Sequence, residues 1–566
     1  MYLRSTPRRN QDGSEVRYLQ LAHNVWDPAA KRSRVQVVWN FGREEPGTRE
    51  ALERLVTSVS RHLEPGKSGP GAAEGLEFAE SRPLGGTHVL DALWERLGIG
   101  PELRVLLKGR RRDPAAERVL FALTANRALA PSSKLAAARW VSEDVLVSGL
   151  ETTSDDGCYR AMDWLLEIRG PLERAVFEAA AEVLGLEIDL LFFDTTSTYF
   201  VTEEADAPVA RDQRGNPVPD GEGGEVRTAG FRTWGKSKDH RDDLPQIVIG
   251  MAVTRGGIPL RAWCWPGNTA DSALIRQVKD DLREQALSRV VWVADRGFTS
   301  AENRRYLRRG GNHYIIGERL RSGSAEAEAA LSRQGRYQEV AENLRVKEVR
   351  IAEDERFVIC HSPEGAERDA AIRARMIAQL KELIDGTDTL SKDKRAELRG
   401  VISTRPGLNR YLRVTPGGLL RIDAARARAE ENLDGKYLLR TSDPKMTAED
   451  IALGYKQLLE VERGWRDLKQ VIDLRPVYHR KEERIRAHVI LCWLALLLAR
   501  VAENTCETTW PQLRRQLDRI AVGTFAGPAG TFRQRTEISP GQAAILDKLG
   551  IDPPPRIYQL TPATTR

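Results

Sequence analysis

The sequence predicts an α/β protein with a mixed central sheet, and three observations predict it. LEIDLLFFD and VVWVADRGF are near-continuous apolar runs, as expected of strands buried on both faces. Between them QIVIGMAVT and IPLRAWCWPG flank the Gly256-Gly257 turn, an antiparallel hairpin. An amphipathic stretch, DSALIRQVKDDLREQAL, then leads into the second run.

In chain order, residues 1–65 read as a small β-hairpin unit, because VRYLQLAHNVW and RVQVVWNFG alternate around DPAAKRS. Residues 66–82 read as a Gly- and Pro-rich linker. From 83 to 185 apolar residues recur at i, i+3 and i+4, which predicts an α-helical domain that could dock on DNA, although no helix-turn-helix signature stands out. Residues 186–319 carry the first part of the sheet. Residues 320–434 read as a β-rich insertion, since so long a loop would otherwise contradict a compact unit. Residues 435–505 complete the sheet with the strand KYLLRTS and two helices, Thr447 to about Ile472 and Lys481 to about Glu503. Residues 506–566 read as an irregular tail.

The 566 residues, 41% of them apolar, suffice for several cores. Lys and Arg number 87 against 81 Asp and Glu, a net charge of +6 with a pI near 9.0. GRRR at 109–112 and the run NRRYLRRGGNHYIIGERLRS concentrate it, either as solvated helix faces or as surface for phosphate backbones. Five cysteines without Cys-x-x-C or Cys/His spacing argue against structural zinc and a disulfide framework, and point to a reducing compartment. No apolar leader is visible in MYLRSTPRRNQDG, and the longest apolar run, Val489 to Ala499, is short of the roughly 20 residues a spanning helix needs. A cytoplasmic, nucleoid-associated protein without membrane contact is expected.

GFRTWGKS, Gly230 to Ser237, fits the P-loop pattern G-x-x-x-x-G-K-[ST]. A phosphate-binding loop needs a strand that delivers it and a helix that leaves it. Upstream is polar, Gly- and Pro-rich chain; downstream KSKDHRDDLPQ has no helical period and meets Pro245. No nucleotide cofactor is expected.

Asp194 and Asp295 end the two apolar runs, where open α/β sheets collect ligands. Strand-end aspartates also serve as caps, so the pair alone does not decide a function. The helix YKQLLEVERGWRDLK adds a third acid. At about 100° per residue, Leu458, Val461, Trp465, Leu468 and Ile472 form an apolar stripe. Tyr455, Glu462 and Lys469 form a second stripe on its flank, while Glu460, Arg463 and Asp467 fall on the far side as expected solvated pairs. Trp292 and Trp465 read as core. His240, His479 and His488 read as hydrogen-bonded structure or DNA contacts, and of Arg484 and Arg486 only one can face the site.

FFDTTSTYF, SKDHRDDLPQ, VADRGF and Y-x2-L-x3-E-x6-K followed by LRPVYHRKEERIRAH together resemble the DDE transposases of bacterial insertion sequences. More narrowly, they are similar to the branch whose third acid lies in a Tyr-x2-Arg-x3-Glu-x6-Lys helix. The likeness spans about residues 186–505 and implies an RNase H-like catalytic domain with an insertion between the second and third acids. By position, Asp194, Asp295 and Glu462 match the three acids, implied to be both catalytic and metal-binding. Tyr455 and Lys469 match residues that contact element-end phosphates in that family. Leu458 replaces the motif's arginine, so Lys456 or Arg466 would supply that contact. Arg296, Lys236, Lys238 and His240 complete the implied DNA-binding set.

The resemblance implies two Mg2+ (or Mn2+) ions, double-stranded DNA as both element end and target, and a homodimer on DNA. Independently of the name, hard Mg2+ prefers carboxylate oxygen. Two such ions about 4 Å apart can activate an oxygen nucleophile and stabilise a leaving oxygen at a phosphate. An RNase H-like nuclease that only hydrolyses DNA and a catalytically silent DNA-binding derivative are the alternatives.

Overall fold

The computed structural model describes residues 2–9, 15–27, 32–63, 77–108, 112–184, 189–218, 227–283, 290–321, 323–352, 355–475, 477–527 and 530–562. The chain forms two compact units. One comprises Met1–Leu93, Phe121–Cys158 and Thr505–Arg566; the other comprises Trp94–Leu120 and Tyr159–Asn504. The segment 83–185, read as a single helical domain, is therefore divided between them.

The first unit holds an antiparallel three-stranded sheet, Tyr2–Arg9, Glu15–Asp27 and Arg32–Arg43, followed by a helix over Pro46–Leu63. The expected hairpin is thus a three-stranded sheet with its own helix. Residues 66–76 of the expected linker lie outside the described residues, while its remainder, from Glu77, forms a strand; Gly109–Arg111 of the GRRR cluster also lie outside them, and Arg112 pairs with Glu167 at 2.6 Å.

The C-terminal segment corrects the reading of an irregular tail. Trp510–Leu517 and Pro540–Leu549 are helices, and the second opens with a reciprocal capping box between Ser539 and Gln542. Ala521–Gly527, Gly530–Arg535 and Ile557–Pro562 form a four-stranded sheet with Glu77–Pro83. That fourth strand comes from the opposite end of the chain, so no local pattern announces the sheet.

The second unit is built on a nine-stranded mixed sheet. Numbered along the chain, its strands are β1 (Leu190–Tyr199), β2 (Gln246–Thr254), β3 (Pro259–Pro266), β4 (Val291–Ala294) and β5 (His313–Glu318). β6 (Gln338–Ala341), β7 (Leu344–Ala352), β8 (Glu355–His361) and β9 (Lys436–Thr441) follow. Their spatial order is β6-β7-β8-β9-β5-β4-β1-β2-β3. β4 runs parallel to both β1 and β5, and every other pairing is antiparallel. The succession of one strand, an antiparallel hairpin, the helix α1 (Asp271–Arg283) and two parallel strands gives the RNase H-like arrangement of the mixed sheet.

Residues 320–434 are less separate than an insertion suggests. β6, β7 and β8 extend the main sheet through β9, and helices such as Pro363–Ile384 and Lys392–Ser403 surround a small core of Leu380, Ile402, Leu408 and Tyr411.

All nine residues of β2 are buried, as are Leu190 to Phe193 of β1. Each large apolar side chain so buried contributes about 2 kcal/mol. α2 (Ala448–Lys456), α3 (Leu459–Gln470) and α4 (Glu482–Cys506) follow β9. α4 is long and apolar enough to span a membrane, yet its apolar stretch is wholly buried in the protein. Its Trp493 donates to the Pro259 carbonyl and its Arg486 to the Cys264 carbonyl, so it lies against β3.

Candidate active site in the crevice beside β1 and β4

Parallel pairing of β1 with β4 sets Phe193 opposite Ala294 and stops there. The next residue on each strand is an aspartate, Asp194 and Asp295. The sequence places Asp194 at the end of its strand, but β1 continues to Tyr199, paired with β2, because buried Thr195, Thr196 and Thr198 keep it extended. β4 leaves the sheet where β1 goes on, in the place where sheets of this kind open a crevice, and Asp194 and Asp295 lie near each other there.

Burial, partly countered by Lys238, holds the Asp194 carboxyl above the ordinary range; the nearby Asp295 and Asp271 carboxylates push it further up. The Lys238 ammonium lies 3.7 Å from Asp194 Oδ1 and 3.4 Å from Asp271 Oδ2, and donates to the Thr195 carbonyl (2.5 Å) and hydroxyl (2.6 Å). Thr195 donates in turn to Asp271 at 2.8 Å. The cation held here among hard oxygens is the Lys238 ammonium. Neither Asp271 nor Thr195 was singled out in the sequence, where Asp271 reads only as the acidic start of α1.

Across the crevice the Tyr455 hydroxyl donates to Asp295 Oδ1 at 3.4 Å, and the Tyr455 ring stacks on Tyr437 with centroids 6.1 Å apart. Burial, then the neighbouring Asp295 charge, push the Tyr455 phenol far up, so it stays a donor. Gly317 of β5 makes room for it: a Cβ there would lie 2.5 Å from the Tyr455 oxygen. Tyr455, expected on DNA, thus meets an acid.

The stretch read as one helix to Ile472 is two. Between α2 and α3, Gln457, Leu458, Glu460 and Val461 make i to i−3 backbone bonds, so the turn tightens and the uniform 100° step fails across it. α3 buries Val461, Trp465 and Leu468, as its stripe predicts, and packs on β1 and β2; Gly464 lets it approach Met251, the β2 partner of Asp194. Glu462 is exposed on this helix and has no side-chain hydrogen bond or ion pair among the described residues. No group of three or more His, Cys, Asp or Glu among the described residues is gathered closely enough to hold a metal ion. The structure brings Asp194 and Asp295 together and does not bring Glu462 to them. Mutual repulsion of carboxylates opposes such a gathering unless cations offset it.

Lys469 pairs with Asp239 at 2.9 Å, and Arg475 pairs with the other oxygen of Asp239 at 3.0 Å. Lys236, His240, Arg296 and Arg466 are exposed, and His240 sits in the left-handed region at φ 57°. Arg486 is buried on Glu482 and the Phe231 ring, while Arg484 stacks on Tyr159 and pairs with Asp163, so neither joins the aspartates. His479 and His488 lie ring to ring 5.5 Å apart, with His488 bonded to the Leu474 carbonyl, and Trp292 and Trp465 are core. The far-side charges of α3 are not simply solvated: Asp467 lies 2.5 Å from buried Arg500 of α4, which also holds Glu503 of α4 at 2.5 Å.

The P-loop look-alike has a packing explanation. A Cβ at Gly230 would strike the Asp206 carbonyl, and one at Gly235 the Gly267 carbonyl, so both glycines permit close backbone approach.

Two family profiles match the chain, "Transposase DDE domain" over residues 218–498 and "IS1634 family transposase, N-terminal domain" over residues 3–70. No curated protein matches. A solved structure described as "Cryo-EM structure of piggyBac transposase synaptic complex with hairpin DNA (SNHP)" is 12% identical, with 77% of this chain and 78% of that chain covered. Its TM-score is 0.32. With the catalytic-domain and N-terminal profiles both matched in order, the chain belongs to the DDE transposases of insertion sequences.

Proposed function

We propose that the chain cuts the DNA ends of its own element and joins them to target DNA, with Asp194 and Asp295 as the fixed half of the reacting centre. The observation that supports this reading is the parallel register of β1 and β4, interior neighbours in the sheet, whose last paired residues Phe193 and Ala294 are each followed by an aspartate. Glu462 is the third acid, joining the pair when cations and DNA offset the repulsion among carboxylates. Its mobility is supported by its exposure and by the tight turn that precedes α3.

Asp194, Asp295 and Glu462 would hold Mg2+ or Mn2+. When bound, two such ions supply Lewis-acid activation of the attacking oxygen and charge stabilisation of the leaving oxygen. Tyr455 orients the Asp295 carboxylate. Lys469, Arg475 and the exposed Lys236, Arg296 and Arg466 offer cations to DNA phosphates, which position the duplex without reading its sequence. Water is the nucleophile in cleavage, and the freed 3′-hydroxyl is the nucleophile in joining. Two element ends handled together require at least two chains, hence a homodimer on DNA.

Pre-cut element ends incubated with a target plasmid and Mg2+ test the joining step. The wild type is expected to insert them, and Glu462→Gln to bind them without joining. Cleavage of uncut ends with no joining of pre-cut ends would reduce the enzyme to a nuclease.

A further inference from the structure

Two adjacent residues, Lys238 and Asp239, pair with two different sets of residues assigned above, the acidic centre and the phosphate contacts. Lys238 places an ammonium among the oxygens of Asp194, Asp271 and Thr195. Asp239 places its two carboxylate oxygens on two cations, one on Lys469 and one on Arg475. The first contact is that of a cation with the acidic centre. The second is that of a phosphodiester, whose two free oxygens share one negative charge between basic side chains.

We infer that the turn Ser237–Asp243 is a built-in mimic of the cation and DNA phosphate, and that it must withdraw before either binds. This rests on the reading of Asp194 as a cation ligand and Lys469 as a phosphate contact.

The turn is built as a separable piece. It is held at its base by the Lys238 N–H on Ser197 Oγ at 2.8 Å and the Ser237 N–H on Asp242 Oδ1 at 2.7 Å. Its apex is His240, whose left-handed backbone costs energy in a non-glycine residue and favours a second conformation once the flanking ion pairs are broken. Lys238 and Asp239 carry opposite charges, so withdrawing them together leaves the local net charge of the site unchanged. Each half of the mimic opposes one ligand only: Lys238 opposes divalent cations, and Asp239 opposes DNA.

Two binding measurements on the full chain separate the halves. Mn2+ binding, read by electron paramagnetic resonance, is expected to tighten roughly tenfold in Lys238→Met, because one competing charge is gone, and to stay near wild type in Lys238→Arg. Asp194→Asn is the control for the underlying reading. If it binds Mn2+ as the wild type does, Asp194 is no ligand. If it loses Mn2+ while Lys238→Met binds no more tightly than wild type, the reading stands and the mimic falls. Circular dichroism of Lys238→Met and Lys238→Arg verifies the fold.

For the second half, a fluorescein-labelled duplex of arbitrary sequence serves as probe. Asp239→Asn is expected to tighten binding roughly fivefold, and the gain should vanish in a Lys469→Gln/Arg475→Gln background. A gain of equal size in that background would mean a general charge effect, and weaker binding by Asp239→Asn would mean that Asp239 merely positions Lys469. Either result overturns the mimic.

Discussion

The hydroxyl of Tyr455 reaches Asp295 through the space that Gly317 leaves empty: the bond is 3.4 Å long, and a Cβ on Gly317 would stand 2.5 Å from the donor oxygen. Gly317→Ala should therefore displace Tyr455 and slow DNA cleavage roughly tenfold, as should Tyr455→Phe, because both free the orientation of Asp295. In a double-mutant cycle Gly317→Ala should add little to Tyr455→Phe. Additive losses would show that Gly317 acts by another route.

The glycines of GFRTWGKS are predicted to matter for folding and not for nucleotides. Gly230→Ala and Gly235→Ala each press a methyl against a backbone carbonyl, and should cost on the order of 3 kcal/mol in chemical denaturation. ATP should not shift the wild-type melting temperature. Normal stability of both variants would contradict the packing account.

Arg500 is buried between Asp467 and Glu503 at 2.5 Å from each. Arg500→Met leaves the two carboxylates with only the more distant Arg463 and is expected to destabilise the unit by about 3 kcal/mol. Adding Asp467→Asn and Glu503→Gln should recover much of that loss. A wild-type denaturation midpoint for the single variant would refute the network's role.

Much of this was legible in the chain and some was not. The two aspartates announce themselves because each follows a run of buried apolar residues, and the mixed sheet follows from the hairpin and helix between them. Asp271 and Asp239 were not visible as site residues, since their roles depend on Lys238 and Lys469 folding back from distant positions. Glu462 was placed by assuming one uninterrupted helix from Tyr455, and the tight turn at Gln457 and Leu458 removes that assumption. The C-terminal sheet escaped notice because its fourth strand, Glu77–Pro83, comes from the other end of the sequence.

Burial raises the Asp194 carboxyl above its ordinary value, against the pull of Lys238. The native state then binds this proton more readily than the unfolded chain, so this group's contribution to stability falls as pH rises from the ordinary carboxylate value to the raised one. Asp194→Asn removes the titration. The melting temperature of the variant minus that of the wild type should rise across that window and level off above it. A difference that is flat or falls with pH would contradict the sign.

The most direct test of the central claim uses a supercoiled plasmid carrying both element ends, with Mg2+, and follows strand breaks on a gel. Asp194→Asn and Asp295→Asn are each expected to bind the ends as the wild type does and to leave the plasmid uncut. Wild-type cleavage by either variant would show that the paired carboxylates of β1 and β4 are not the reacting centre.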